Sequence, residues 1–159
     1  MAKIYLSIGT NVGDRKANLA QAVSRLAPEI FPNLISPVYE TKPVGLAEQP
    51  DFYNIALAGD TALAPYDVLA HLKSIETGMG REKTVANGPR VIDLDLLYYD
   101  DLAYESEELA IPHSRRVGRA FVYAPLADIA PDFVDPVTGK TVLAMLEDIE
   151  DRERQVTRL

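Results

Sequence analysis

The most informative stretch of the chain runs from residue 88 to residue 97 and reads Gly88-Pro89-Arg90-Val91-Ile92-Asp93-Leu94-Asp95-Leu96-Leu97. Alternate side chains of a β-strand share a face. The side chains of Ile92, Leu94 and Leu96 therefore point one way, and those of Asp93 and Asp95 point the other. An apolar face of this kind is typical of a strand that packs on a core. We predict a strand over Val91–Tyr99 with a pair of carboxylates on its second face.

The carboxylate pair predicts a magnesium site. Two neighbouring carboxylates on a central strand repel each other and lose hydration, and a hard cation relieves both costs. Mg²⁺ prefers few carboxylates together with waters and substrate phosphates, so Asp93 and Asp95 suit it. The guanidinium of Arg90, just before the pair, can hold phosphate oxygens in a bidentate manner. A half-exposed strand with its polar side chains outward is the plainer interpretation, and it stays open here.

The remaining elements surround this strand in an order that indicates a fold. Further strands are predicted over Lys3–Ile8, Leu34–Tyr39 and Phe52–Leu57, and helices over about Arg15–Leu26, Pro65–Thr77, Gly118–Ile129 and Val142–Arg152. The order β-α-β-β-α-β with a helical tail predicts an α+β, ferredoxin-like fold, with an antiparallel sheet, two helices on one face and a C-terminal helical extension. A length of 159 residues suits one domain, so we expect a single domain over 1–159.

Composition excludes several classes of protein. A net charge of −8 argues against a general nucleic-acid or anionic-membrane binder, which would need a basic face. The chain has no cysteine, which excludes a disulfide framework, zinc–thiolate sites and a cysteine nucleophile. No signal peptide and no run of about 18 apolar residues is present. We therefore expect a soluble, cytoplasmic protein that binds neither nucleic acid nor membrane, and we expect a monomer.

Several loop and strand residues are candidates for binding a phosphorylated or flat ligand. The chain's cations cluster at Arg81, Lys83, Arg90, Arg115, Arg116 and Arg119, and such a cluster lets an acidic protein bind an anion. The segment Ser7–Asp14 lacks both G-x-G-x-x-G and a Walker A lysine. Its Gly9 is expected to permit the close approach of a ligand or of another strand.

An amide and three aromatic side chains suggest a site for a flat heterocycle. The side-chain amide of Asn54 can read the edge of such a ring. Phe52, Tyr53 and Phe121 can stack on its faces, although each aromatic taken alone is more commonly a core residue. His113 is a candidate phosphate or nucleotide contact, and a packed histidine is an equally good interpretation.

Taken together, several ordered motifs resemble the 6-hydroxymethyl-7,8-dihydropterin pyrophosphokinase family of folate biosynthesis. The resemblance covers the chain from Tyr5 to about Asp135. The motifs are Tyr-Leu-Ser-Ile-Gly-Thr-Asn-Val-Gly-Asp, Tyr-Glu-Thr-Lys-Pro, Gln-Pro-Asp-Phe-Tyr-Asn, Glu-Thr-Gly-Met-Gly-Arg, Gly-Pro-Arg-Val-Ile-Asp-Leu-Asp-Leu-Leu, Ile-Pro-His and Arg-Ala-Phe-Val-Tyr-Ala-Pro-Leu. Their common order and spacing are far more specific than any one of them.

The resemblance implies an activity and a set of roles. It implies transfer of the β,γ-diphosphate of ATP to the hydroxymethyl oxygen of the pterin, with release of AMP. It implies that Asp93 and Asp95 hold two Mg²⁺ ions, and that the pterin lies between Phe52 and Phe121. The residues implied at the pterin edge are Gly9, Thr41, Pro43, Val44 and Asn54. Those implied at ATP or the departing AMP are Glu76, Arg81, Arg90, His113 and Arg119.

The chain departs from the family pattern at two positions. Many members carry Arg-Trp before Gly-Pro-Arg, in a mobile loop that seals the site, and here the pair is Ala86-Asn87. We expect Lys83 to take over part of this role toward ATP. The second departure is Glu108, at a position that is basic in some members.

The residues alone also leave two other functions open. One is a different two-aspartate enzyme on a ferredoxin-like sheet, such as a nucleotidyl transferase or a cyclase. The other is a ligand-binding module of the same fold that has no catalytic activity.

Overall fold

The computed structural model describes residues 1–42, 49–80, 89–150 and 155–159. Its strands are β1 (Ala2–Thr10), β2 (Ile30–Ile35), β3 (Tyr39–Thr41), β4 (Phe52–Thr61), β5 (Asp93–Tyr99), β6 (Tyr104–Glu105), β7 (Ala110–Ile111) and β8 (Val156–Arg158). Its helices are α1 (Arg15–Ser24), α2 (Pro65–Gly78), α3 (Ala120–Ile129) and α4 (Val142–Glu147).

The main sheet is antiparallel and has β1 and β4 at its centre. β5 pairs with the free side of β1, and β2 and β3 pair one after the other with the free side of β4. β8 pairs with β3, and β6 and β7 form a separate hairpin. The predicted mixture of helices with an antiparallel sheet is therefore confirmed.

Helices cover both faces of the sheet. Side chains alternate along each strand, so each face presents its own set of apolar side chains to a layer of helices. On one face, α1 and α2 pack their apolar stripes, including Leu19 and Leu72, against Leu6 and its neighbours on the sheet. On the other face, α3 and α4 pack against a second cluster that includes Tyr5 and Leu97. β5 thus contributes to two cores, one on each side.

The second predicted strand is wrong in its limits. It was expected over Leu34–Tyr39, whereas β2 ends at Ile35 and β3 begins at Tyr39. The break contains Pro37, which has no N–H to donate to the ladder. Ser36 bridges the gap, because its N–H donates to the carbonyl of Ala56 and its hydroxyl accepts from the N–H of Ala56, each at 2.9 Å.

The expected helical tail is also wrong in part. The last helix, predicted to reach Arg152, ends at Glu147, and the described C-terminus forms strand β8. A strand of three residues is too short to show a periodicity, and β8 exists because β3 offers it an edge. Within the described ranges, no helix is both long and apolar enough to cross a membrane.

Candidate active site

A cavity of about 470 Å³ opens on the sheet face that α3 and α4 cover only in part. Strand pairing builds its floor, since Gly9 lies opposite Asp93 on one side and opposite Asn54 on the other. Ser7, two residues earlier, lies opposite Asp95. Directly paired residues point to the same face, so carboxylates, a glycine and an amide form one continuous surface.

The structure brings most of the candidate residues that it describes into this cavity. The candidates that line it are Gly9, Thr41, Phe52, Asn54, Arg90, Asp93, Asp95, Arg119 and Phe121. Glu76 and His113 do not line it, although each contacts the strand that carries the aspartates. The candidates Pro43, Val44, Arg81 and Lys83, together with the Ala86-Asn87 pair, lie outside the described residues.

The amide end of the cavity depends on a close approach of two strands. The side-chain amide of Asn54 donates to the hydroxyl of Thr41 at 2.8 Å, and both residues are buried. Gly9 faces this amide. A Cβ atom on Gly9 would lie 2.6 Å from the Asn54 side-chain oxygen, which is closer than real Cβ contacts permit. A glycine at position 9 is therefore required for the Asn54 side-chain amide to occupy its position opposite β1.

Two phenylalanines from different layers of the fold line the cavity. Phe52 begins β4 and Phe121 lies in the first turn of α3, with the Arg119 guanidinium 5.2 Å from the Phe121 ring centre. Tyr53, the third aromatic candidate, packs against the α1–α2 core on the opposite face. The guanidinium of Arg15 stacks on the Tyr53 ring at 3.9 Å. Alternation along β4 therefore removes Tyr53 from the cavity.

The two aspartates suit a hard cation that also binds a ligand's phosphates. Asp93 and Asp95 are half-buried on β5 and line the cavity with Arg90 and Arg119. Among the described residues, no group of three or more His, Cys, Asp or Glu side chains is placed to hold a metal. Two carboxylates leave most coordination positions for water and phosphate oxygens, which is an arrangement that Mg²⁺ accepts.

Glu76 supports the strand between these aspartates. Its carboxylate, buried on α2, accepts a hydrogen bond from the N–H of Leu94 at 2.8 Å. Among the strands that the structure describes, β5 is the edge strand next to β1, and none of them pairs with this N–H on its outer side. The carboxylate thus completes the hydrogen bonding of the residue that lies between Asp93 and Asp95.

His113 lies beside the second aspartate. Its Nδ1 accepts a hydrogen bond from the N–H of Arg115 at 3.2 Å, and its Nε2 lies 3.6 Å from a carboxylate oxygen of Asp95. A nitrogen that accepts carries no proton, so the ring in this conformation holds its proton on Nε2. That proton faces the aspartate.

Asn11, which is not among the predicted site residues, connects two segments that border the cavity. It is fully buried, and its side-chain oxygen accepts from the N–H of Arg90 at 2.8 Å. Its side-chain nitrogen donates to Gln49 at 2.9 Å and to the carbonyl of Pro50 at 3.0 Å. The backbone that carries Arg90 is therefore tied to the segment that leads into β4.

Further lining residues are not among the site residues that the sequence predicted. They are Ser7, Lys42, Gly118 and Gln155. Ser7 has a detectable signal, because it lies two residues before Gly9 on the same predicted strand. Gln155 has none, because its place depends on the pairing of β8 with β3.

The comparisons with known proteins agree on one protein family. The sequence profile of the 7,8-dihydro-6-hydroxymethylpterin-pyrophosphokinase (HPPK) family matches residues 5–131. The 2-amino-4-hydroxy-6-hydroxymethyldihydropteridine pyrophosphokinase of Methylorubrum extorquens is 43% identical over 152 residues, which cover 94% of this chain and 95% of that protein. Folic acid synthesis protein FOL1 of Dictyostelium discoideum is 44% identical over 89% of this chain and 22% of its own length.

The chain therefore spans about a fifth of the length of several longer relatives. Its fold also matches solved structures. A crystal structure of Plasmodium falciparum HPPK-DHPS with pterin and p-hydroxybenzoate has a TM-score of 0.78 over 99% of this chain and 45% of that one. The sequence identity in that match is 16%, so it supports the fold alone.

Proposed function

Because the chain belongs to the 7,8-dihydro-6-hydroxymethylpterin-pyrophosphokinase family, we propose that it transfers the β,γ-diphosphate of ATP to the hydroxymethyl oxygen of 6-hydroxymethyl-7,8-dihydropterin. The products are the pterin diphosphate and AMP, and the reaction belongs to folate biosynthesis. We further propose that the reaction depends on Mg²⁺, with two ions held by Asp93 and Asp95.

One observation carries this proposal. A single cavity joins an amide–hydroxyl pair and two phenylalanines to two carboxylates and two arginines. The first group is what a flat heterocycle with polar edges needs, and the second is what a metal-bound triphosphate needs. Asn54 and Asp93 lie on either side of Gly9, on the two strands that flank β1. The two groups are therefore separated by one strand, which would bring an alcohol on the ring to the phosphate.

The roles of the pterin-side residues follow from their positions. Asn54 and Thr41 would read the polar edge of the ring, with Gly9 providing the space beneath it. Phe52 and Phe121 would hold its two faces. Pro43 and Val44, which lie outside the described residues, are proposed at the same edge.

The phosphate-side residues would neutralise charge. Arg90 and Arg119 would hold phosphate oxygens, and His113 would donate from Nε2 near Asp95. Asp93 and Asp95 would hold Mg²⁺, which would supply charge neutralisation and a lower pKa of the pterin alcohol. Phosphoryl transfer depends on charge neutralisation and in-line placement more than on a protein base, so the chain needs no histidine–carboxylate base. Arg81 and Lys83 are proposed as further phosphate contacts.

The architecture supports three finer proposals. The strand order β5-β1-β4-β2, with α1 and α2 on one face, supports a ferredoxin-like unit. A second helical layer of α3 and α4 extends it. We also propose that residues 1–159 act as one domain and as a monomer, which sedimentation of the purified chain would test.

A nucleotide product assay tests the function. Purified protein is incubated with ATP, Mg²⁺ and the reduced pterin alcohol, and each component is omitted in turn. AMP that forms only in the complete mixture supports the proposal. Release of pyrophosphate or of a cyclic nucleotide would point to a nucleotidyl transferase or a cyclase. Binding of both ligands without turnover would point to a non-catalytic module.

A further inference from the structure

A buried ion pair, Arg116 with Asp135, lies near the candidate site but does not line its cavity. The guanidinium of Arg116 donates to the carboxylate of Asp135 through Nε at 2.7 Å and through Nη2 at 3.1 Å. The side chains of Arg116 and Asp135 are only 8% and 0% exposed. The same carboxylate accepts from the hydroxyl of Tyr98 at 2.6 Å and from the N–H groups of Val137 and Thr138.

Asp135 stays ionised in this position. Burial alone raises the pKa of a carboxyl group, but the hydrogen bonds from Arg116, Tyr98 and the two N–H groups outweigh burial and hold the pKa of Asp135 at about 2. Arg116 and Asp135 therefore form a charged, bidentate pair whose geometry is restricted by the planar guanidinium.

Arg116 connects this pair to the residues proposed to meet ATP. Its Nη1 donates to the carbonyl of His113 at 3.1 Å, and its own N–H donates to the same carbonyl at 3.3 Å. The N–H of Arg119 donates to the carbonyl of Arg116 at 3.3 Å. The segment from His113 to Arg119 thus folds around the Arg116 backbone and side chain.

The strand that bears the aspartates joins the same network. The N–H of His113 donates to the carbonyl of Leu97 on β5 at 3.0 Å. Tyr98, which follows Leu97 on that strand, donates its hydroxyl hydrogen bond to Asp135. Asp135 therefore connects β5 to the 113–119 segment without itself lining the cavity.

We propose that the Arg116–Asp135 pair is a positioning pair, which holds His113 and Arg119 in the places where they meet the phosphates of ATP. The proposal rests on the function proposed above for the cavity. A buried ion pair is a poor means of gaining stability, because desolvation offsets most of its attraction and apolar residues often replace it without loss. Its bidentate geometry does, however, fix direction, and the segment it fixes carries two of the proposed phosphate contacts.

The chain offers a direct reporter of this placement. It contains only two histidines, His71 and His113, so ring signals in a nuclear magnetic resonance spectrum are easily assigned. His71 lies on α2, where Nε2 contacts the carbonyl of Leu26 at 3.0 Å, remote in sequence and hydrogen bonding from the pair. It therefore serves as an internal control.

The test compares two variants of the pair with one matched control. Asp135→Asn removes the charge but keeps the size, and Arg116→Lys keeps the charge but removes the bidentate geometry. Asp148→Asn breaks the exposed Lys140–Asp148 ion pair in the same part of the chain. Each variant is examined by histidine ring spectra, by titration with a nonhydrolysable Mg-ATP analogue and with the pterin, and by thermal melting.

We expect the His113 signals to move or broaden in both pair variants while those of His71 stay in place. Removal of groups that orient a ligand's contacts commonly costs about tenfold or more, so the dissociation constant of the ATP analogue should rise by about tenfold. The constant for the pterin should change much less than that for the ATP analogue, since α3 keeps its packing on the sheet. Asp148→Asn should match the wild type in every measurement.

Two results would overturn the proposal. One is a folded Arg116→Lys protein with wild-type His113 signals and ATP-analogue affinity. The other is an equal loss of both ligands together with a shift of the His71 signals, which would indicate a purely structural role. If Asp135→Asn does not fold, Arg116→Lys decides. A wild-type protein that forms no AMP would refute the proposed function, while the His113 signals would still decide whether the pair positions this segment.

Discussion

Gly9 and Asn54 face each other across β1 and β4 with no room for a side chain on the first of them. A Cβ atom at position 9 would lie 2.6 Å from the Asn54 side-chain oxygen. Asn54 also donates to Thr41, so it cannot turn away without losing a buried hydrogen bond. The glycine therefore determines where the amide lies.

Gly9→Ala should weaken pterin binding by about 1–2 kcal/mol, because displacement of Asn54 breaks its bond to Thr41. Binding of an ATP analogue should change little. Calorimetric titration of both ligands checks this. The control is the same substitution in an Asn54→Ala background, where the added methyl group meets no oxygen and should have little further effect. Equal losses in both backgrounds would show that the close contact is not the cause.

Asp95→Asn should retain the fold and reduce turnover by about two orders of magnitude or more, because the amide is a poor ligand for Mg²⁺. AMP formation over a range of Mg²⁺ concentrations measures the effect. Asp101→Asn, an exposed aspartate just beyond the far end of β5, is the matched control and should behave as the wild type. Near-normal turnover of Asp95→Asn at ordinary Mg²⁺ would remove Asp95 from the proposed metal site.

Phe121→Ala should weaken pterin binding by about 1–3 kcal/mol, by analogy with bases stacked on aromatic side chains, and leave ATP binding almost unchanged. Phe121 also packs partly against the α3–α4 core, so a modest loss of thermal stability is expected. Phe133→Ala is the contrasting variant, because Phe133 contacts the rings of Tyr5 and Tyr98 rather than the cavity. It should lower the melting temperature without selective loss of the pterin. If both variants lose the two ligands in parallel, Phe121 is a core residue and not a clamp.

Glu76→Gln should keep most of the turnover, whereas Glu76→Ala should lose much more. A glutamine oxygen can still accept from the N–H of Leu94, but alanine leaves that buried group unsatisfied at a cost of about 1–3 kcal/mol. Loss of this hydrogen bond would displace Leu94, which lies between Asp93 and Asp95. Activity and melting temperature should therefore decline together. A glutamine variant as inactive as the alanine variant would show that the negative charge itself is needed.

The free energy of unfolding should depend on pH in the acid range through the ionisation of Asp135. The folded pKa of Asp135, about 2, lies below the ordinary value of 3.8, so ionised Asp135 favours the folded state above about pH 4. That contribution is lost as pH falls from about 4 through about 2. The difference in unfolding free energy between the wild type and Asp135→Asn should therefore shrink by about 2 kcal/mol over this window. Urea unfolding at several pH values measures it, and a difference independent of pH would contradict the depressed pKa.

Local patterns were sufficient for the paired aspartates, the antiparallel sheet and most of the cavity's candidate residues. Alternation along β5 places Asp93 and Asp95 on one face whatever they pack against, and a glycine inside a strand signals close approach wherever that strand lies. These properties are carried by neighbours along the chain, so periodicity and residue type reveal them.

Packing between distant segments decided the rest. Asp135 and Arg116 are 19 residues apart, and Gln155 reaches the cavity only because β8 pairs with β3. Alternation alone separates Phe52 from Tyr53, but only the helix layers decide which face becomes the cavity. Glu76 was expected near ATP from the resemblance alone, and only the packing of α2 beside β5 shows its hydrogen bond to the N–H of Leu94. Burial and the need to satisfy buried hydrogen-bonding groups determine such partners across the whole fold. A local pattern of residues does not encode these long-range requirements.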